Sequence, residues 1–212
     1  MNKARFEAFS DGVFAFAITL LILSIALPPF RHAPTQAELT HALLALWPNA
    51  LAYGLSFAVI GIMWQNHHAL FRLIARVDRM TVFLNLGLLG MTVFIPFATS
   101  TLGSYITMKP ATFLYGLTLT GCATMYNAML AHLVRSHAFS SHVPPASIQQ
   151  TVVAYRTGWI TYAAAMVVAL LLPVVSVCLY LIIAAYYLVP RGVDTDLALP
   201  AEGAETSHLR AG

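Results

Sequence analysis

The chain has 212 residues, of which 59% are hydrophobic and only 9% charged, against roughly 25% charged for an ordinary soluble domain. That composition excludes a soluble globular domain and indicates a membrane protein. The formal net charge of +3 comes from basic residues clustered between apolar runs, so it reports membrane topology and implies no nucleic-acid partner.

Residues 5–27, RFEAFSDGVFAFAITLLILSIAL, join a charged, hydroxyl-bearing head to an apolar run with nothing ionisable after Asp11. As a helix this stretch is ~33 Å long, enough for a bilayer core of ~30 Å. It reads as a retained first span. A cleavable signal is disfavoured by Glu7 and Asp11 in the head and by Pro28-Pro29 in place of a small-residue cleavage pattern.

Thr35-Gln36-Ala37-Glu38 is a capping box that predicts a helix start near Gln36. The apolar pattern then continues to about Phe71, with a kink expected at Pro48. Arg72, Arg76 and Arg79 form the densest basic patch, and Asp78 suits the N-terminus of the third run, 79–103, in which a kink is expected near Pro96. Lys109-Pro110 opens a fourth run to about Val134. Ser147-Ile148-Gln149-Gln150 reads as a second capping box at the start of a fifth helix, and Pro173 separates that helix from a sixth run, 174–189.

Six spans with a cytoplasmic N-terminus place Lys3, Arg5, Arg72, Arg76, Arg79, Arg135, Arg156, Arg191 and Arg210 inside, and Arg31 and Lys109 outside. This is the positive-inside bias. The expected class is therefore an all-α polytopic membrane protein, with a six-helix transmembrane domain over 1–190 and a disordered cytoplasmic tail over 191–212. Cys122 and Cys178 lie within apolar runs, and no disulfide is expected.

Two constellations stand out. Trp64, His67 and His68 are spaced i, i+3, i+4 on one face of the second long helix, at the depth of Ser10 and Asp11 if the first two spans are antiparallel neighbours. With Arg5, Phe9 and Asn85 they form a candidate cytoplasmic polar knot. Arg5 and Asp11 are about 240° apart around a helix and cannot simply pair. Such a knot can hold helices together, since buried polar groups in lipid seek partners; it can also gate or sense pH through the histidines. A catalytic or metal site is disfavoured, because His67 and His68 are adjacent and no second pair stands at ligand spacing.

The other constellation is a stripe along the first helix, Gly12, Phe16, Thr19, Leu23 and Ala26, apolar apart from one hydroxyl. A stripe of this kind is compatible with packing or with a pore face. No TVGYG-type filter is present, which excludes a potassium channel built from carbonyl rings.

The motif Arg5-x-x-x-Phe9-Ser10-Asp11 followed by GVFAFAITLLIL resembles the bacterial branch of the transmembrane protein 175 family, the lysosomal potassium channel family. IGIMWQNHHALF (60–71) and LNLGLLGMTVFIPF (84–97) are similar to the family as well. The resemblance implies six transmembrane helices per subunit, both termini cytoplasmic in a bacterial cell membrane, and a homotetramer. It implies a potassium-permeable leak-type channel, not an enzyme, with no cofactor and no bound metal. Its pore is lined by the first helix, with constriction layers at Phe16, Thr19 and Leu23 and the knot on Arg5, Ser10, Asp11, Trp64 and His67 or His68. Phe16 departs from the Ile or Leu usual there. The implied partners are potassium ions, with other monovalent cations or protons left open, the lipid bilayer and other copies of the chain. The alternative is a proton-coupled carrier that uses Asp11 and His67 or His68 as its relay.

Overall fold

A computed structural model of the protein describes residues 3–188, all of its regular elements helical. They are α1 (Lys3–Leu20), continued by a 3₁₀ turn (Leu21–Ser24), α2 (Gln36–Ala45), α3 (Trp47–Leu73), α4 (Arg79–Ser104), α5 (Lys109–Arg135), α6 (Pro145–Ala169) and α7 (Pro173–Leu188). The tail read as disordered lies outside the described residues.

Local chemistry accounts for most boundaries. The Thr35 hydroxyl accepts from the Glu38 amide while the Glu38 carboxylate accepts from the Thr35 amide, the reciprocal box expected at the start of α2. Asp78 caps α4 by accepting from the Thr81 amide at 2.8 Å. The expected kink at Pro48 is a break at Leu46, one residue before α3, and α2 and α3 meet there with a bend of 41°. Pro48 itself sits in the first turn of α3, where its missing N–H costs no helical bond. Helix α4 continues through Pro96 to Ser104.

Two expectations need correction. The Ser147–Gln150 box is not the start of α6: the helix begins at Pro145, with Pro144 before it and no side-chain cap. The fixed φ of Pro145 suits the first helical position, so initiation falls two residues earlier than the hydroxyl suggests. The first span is also not one continuous helix to residue 27. Its α-helical part ends at Leu20, the chain tightens into the 3₁₀ turn, and Ile25 is extended.

By length and hydropathy Lys3–Ser24, Arg79–Ser104 and Pro145–Ala169 are each able to cross a membrane, and the bent α2–α3 pair makes a fourth candidate. Helix α5 is as long as α3 but interrupts its apolar residues with Thr112, Thr118, Thr120, Thr124 and Asn127; α7, with 16 residues, is short and strongly apolar. The core runs between α1, α3, α4, α5 and α7 and includes Phe14, Leu21, Ile60, Leu88, Ile95, Tyr115, Met129 and Tyr180.

The basic loops meet at one end. Lys3 Nζ donates to the Ile74 carbonyl at 2.7 Å, the Ala75 amide donates to the Ala138 carbonyl at 2.8 Å, and Arg76 Nη2 donates to the Ser136 carbonyl at 2.9 Å. His132 Nε2 lies 2.8 Å from the Asp78 carboxylate. The N-terminus of α1, the α3–α4 loop and the α5–α6 loop are thereby stitched into a single layer, which fixes the base from which α1 rises.

Candidate functional site: the free face of the first helix and its anchor

Helix α1 has two different long faces. Phe6, Ser10, Phe14, Ala17 and Leu21 are buried against the bundle. Opposite them, Arg5, Phe9, Gly12, Phe16, Thr19, Leu23 and Ala26 are all exposed on the single chain. From Arg5 to Thr19 the spacings alternate four and three residues, a mean of 3.5, which keeps a helix face aligned with a shared axis instead of spiralling away from it, while Leu23 lies in the 3₁₀ turn and Ala26 beyond it. Phe16 is 57% and Leu23 71% exposed, and a Cβ placed on Gly12 would meet no atom within 4 Å.

Thr19 is the one hydroxyl on the upper part of this face. Its Oγ1 donates to the Phe16 carbonyl at 2.8 Å, so its proton is occupied and its oxygen lone pairs are available outward. Leu23 lies in the 3₁₀ turn and is therefore displaced from the position that a regular helix would give it. The far end of this segment is held by Asn49 Nδ2, which donates to the Ser24 carbonyl at 3.0 Å.

The polar residues expected to form one knot separate into two groups. The buried group is a chain across three helices: Asn85 Nδ2 donates to Ser10 Oγ at 2.9 Å, Asn85 Oδ1 pairs with His67 Nε2 at 2.8 Å, and Ser10 Oγ donates to the Phe6 carbonyl at 3.1 Å. The pairing of Nε2 with an amide oxygen makes Nε2 the protonated ring nitrogen. The second group is at the surface, where Trp64 Nε1 donates to Asp11 Oδ1 at 2.9 Å and the indole stacks on His68 with centroids 6.2 Å apart. Arg5 and Phe9 are exposed and belong to neither group. Asp11 and His67 bond to different partners and are not joined to each other directly, whereas His68, the other histidine of the would-be proton relay, stacks on the indole that bonds Asp11.

Sequence reasoning missed the aromatic casing of the buried group. His67 is stacked on Phe71 at 4.3 Å, Phe14 approaches it edge-on at 5.4 Å, and Phe6 packs on Phe71 at 5.3 Å. The signal for it was the repeat Phe6, Ser10, Phe14, Ala17, Leu21, which shares the 3.6-residue period of a buried face. This casing removes water from the hydrogen-bonded chain, so each bond is costly to break.

The sequence profile described as endosomal/lysosomal potassium channel TMEM175 matches residues 5–96, the segment that contains both groups and the whole free face. Across nearly the full length, a potassium channel of Streptomyces collinus is 39% identical over 193 residues, covering 88% of this chain and 92% of the relative. The chain belongs to the TMEM175 family. A potassium channel of Chamaesiphon minutus is 41% identical over 134 residues, covering 62% of this chain and 66% of the relative. The crystal structure of a lysosomal potassium-selective channel TMEM175 homolog from Chamaesiphon minutus superposes with a TM-score of 0.77 at 34% identity, covering 88% of this chain and 96% of that one. TMEM175 membership therefore extends beyond the motif-bearing half to α5, α6 and α7, where hydropathy alone is uninformative.

Proposed function

We propose that this chain is a potassium-permeable leak-type channel of the bacterial cell membrane, assembled as a homotetramer with α1 of each subunit lining the pore. The observation that carries this reading is the free face of α1, a straight row of mostly apolar side chains left uncovered on a helix whose other face is fully packed. One helix cannot enclose a conduit, and cyclic symmetry supplies the same face several times around one axis. The names of the relatives, potassium channels in two bacteria, supply the ion.

In this arrangement Phe16 and Leu23 form apolar rings ~12 Å apart along the axis, at ~1.5 Å per residue in the α-helix and ~2.0 Å in the 3₁₀ turn. Rings of this kind block ions by excluding water and open with modest dilation. Thr19 lies between them and offers hydroxyl oxygens to a partly dehydrated cation. Those oxygens are weaker ligands than a carbonyl cage, so the preference for potassium over sodium is modest and other monovalent cations, or protons, share the path to some degree. Phe16, bulkier than an aliphatic residue, narrows its own layer and makes Leu23 the second restriction. Arg5 and Phe9 flank the cytoplasmic mouth, while the Ser10–Asn85–His67 chain and the Asp11–Trp64 bond hold α1 upright on α3 and α4. The positive-inside distribution of Lys and Arg supports a cytoplasmic side for both termini.

Potassium efflux from liposomes containing the purified chain, with a proton ionophore to balance the charge carried by potassium, tests the reading. Flux that persists under an imposed voltage and rises in Leu23→Ala is expected. Absence of flux in both proteins, with each shown to be inserted and tetrameric, would contradict it.

A further inference from the structure

We propose that a cavity between α3, α5, α6 and α7, remote from the free face of α1, is a binding site for a small uncharged molecule of the phenol class. Its volume is about 110 Å³, on the scale of engineered apolar cavities of about 150 Å³ that take up benzene. Five aromatic side chains line it, Tyr126, Tyr155, Trp159, Tyr162 and Tyr187, and no charged residue does. Gly158 keeps one wall open, since a Cβ there would lie 3.0 Å from Tyr187 Oη.

The hydrogen-bonding inventory selects the ligand. Four of the five aromatic polar tips are satisfied by protein: Tyr126 Oη donates to the Met63 carbonyl, Tyr155 Oη to the Asn66 carbonyl, Tyr187 Oη to the Ala154 carbonyl, and Trp159 Nε1 to Thr124 Oγ1. The fifth, the Tyr162 hydroxyl, makes no hydrogen bond among the described residues. Asn127 Nδ2 donates to the carbonyls of Ala123 at 2.9 Å and Tyr155 at 3.0 Å, which leaves Asn127 Oδ1 as an acceptor with no partner among the described residues.

One wall of the cavity thus offers a donor and another an acceptor, both within aromatic surroundings. A phenolic hydroxyl accepts from the first and donates to the second, while its ring fills the apolar remainder. An ammonium group would lose its hydration with no counter-charge nearby. A lipid acyl tail would leave both polar groups unpaired. The site stands independently of the channel reading, because occupancy is measured without conduction.

The test is calorimetric titration of the purified full chain in detergent with 4-methylphenol and, separately, with toluene. Saturable binding of one 4-methylphenol per chain is expected, with toluene at least ten-fold weaker. Tyr162→Phe should lower 4-methylphenol to the affinity of toluene, and Ala123→Leu, which fills the cavity, should abolish both. The proposal is overturned by absence of saturable binding, by toluene binding as tightly as 4-methylphenol, which would assign the cavity to apolar tails, or by an unchanged affinity in Tyr162→Phe. Tyr162→Phe alone decides if Ala123→Leu does not fold.

Discussion

In α5 most polar and aromatic side chains are turned inward and answered within the chain, the buried Thr120 hydroxyl and Asn127 Oδ1 being exceptions. Tyr115 Oη pairs with Ser56 Oγ at 2.9 Å, Thr99 Oγ1 donates to the same Ser56 Oγ at 2.7 Å, and Tyr180 packs on Tyr115 with the rings tilted and their centroids 5.5 Å apart. In α1 only one face is treated this way. The other carries two phenylalanines, a leucine and a threonine that are exposed among the described residues. The same sequence therefore contains a helix finished by its own fold and a helix finished only by something outside it. Fold-determining contacts concentrate in the first and the proposed conduction path in the second.

The comparison breaks most severely at the anchor between them. Asn85→Leu removes the two interhelical bonds of the buried chain, leaving His67 Nε2 unpaired and Ser10 with only its bond to the Phe6 carbonyl, at about 1–3 kcal/mol for a buried group left unpaired. A large fall in thermal unfolding midpoint in detergent is expected, together with loss of the proposed tetramer on size-exclusion chromatography. An unchanged midpoint would show that α1 is held by apolar packing alone.

Gly116→Ala probes the finished helix. Its Cβ would lie 2.0 Å from Tyr180 Oη, with Met166 Cβ at 3.0 Å, an overpacking expected to cost about 1–3 kcal/mol. Tyr180→Phe in the same chain should recover part of the loss. Gly90→Ala is the matched control: nothing lies within 4 Å of its Cβ, and helix propensity favours alanine by about 1 kcal/mol. Equal midpoints for the two alanine variants would contradict the packing described for α5.

Trp64→Phe sharpens the distinction between holding and conducting. It deletes the bond to Asp11 while keeping an aromatic ring, and interhelical bonds of this type are worth about 0.6–2 kcal/mol. A small drop in midpoint is expected, with a larger change in potassium flux from liposomes, because the bond fixes the mouth of the proposed pore and not the core.

The smallest effect concerns the loop layer. Hydrogen bonds from the Thr81 hydroxyl and amide, aided by His132, hold the Asp78 carboxyl at about 2, below its ordinary 3.8. A depressed carboxylate contributes stability that is present above 3.8 and lost as pH falls through about 2. The midpoint of the wild type should therefore decline across that interval, and Asp78→Asn should show a shallower decline from a lower starting value.

How much of this was legible in the sequence follows from the range of the interactions concerned. The capping box at Thr35, the Asp78 cap and the start of α5 at Lys109-Pro110 are local, and sequence spacing alone identifies them. The start of α6 misled because two adjacent initiation signals compete and the fixed dihedral of Pro145 prevails over the Ser147 hydroxyl. The 3₁₀ turn at Leu21–Ser24 has no local marker; Asn49, 25 residues away, holds the Ser24 carbonyl there. In the polar group, spacing identified Trp64, His67, His68, Ser10, Asp11 and Asn85 as neighbours in depth but not who bonds to whom. That division depends on the rotation of α1 against α3 and α4, which places Ser10 inside and Asp11 at the surface. The cavity among α3, α5, α6 and α7 left no trace in sequence, because its walls come from four helices and its defining feature is an unanswered pair of polar atoms.

The central claim is that the free face of α1 surrounds a conduction path. Single cysteines at Thr19 and Leu23, in a chain carrying Cys178→Ser and retaining the buried Cys122, test it by exposure to a positively charged thiosulfonate reagent during liposome potassium flux. Block at both positions, with no block for a cysteine at Ala17 on the packed face, is the expected result. Modification without loss of flux at Thr19 and Leu23 would place the path elsewhere and contradict the account.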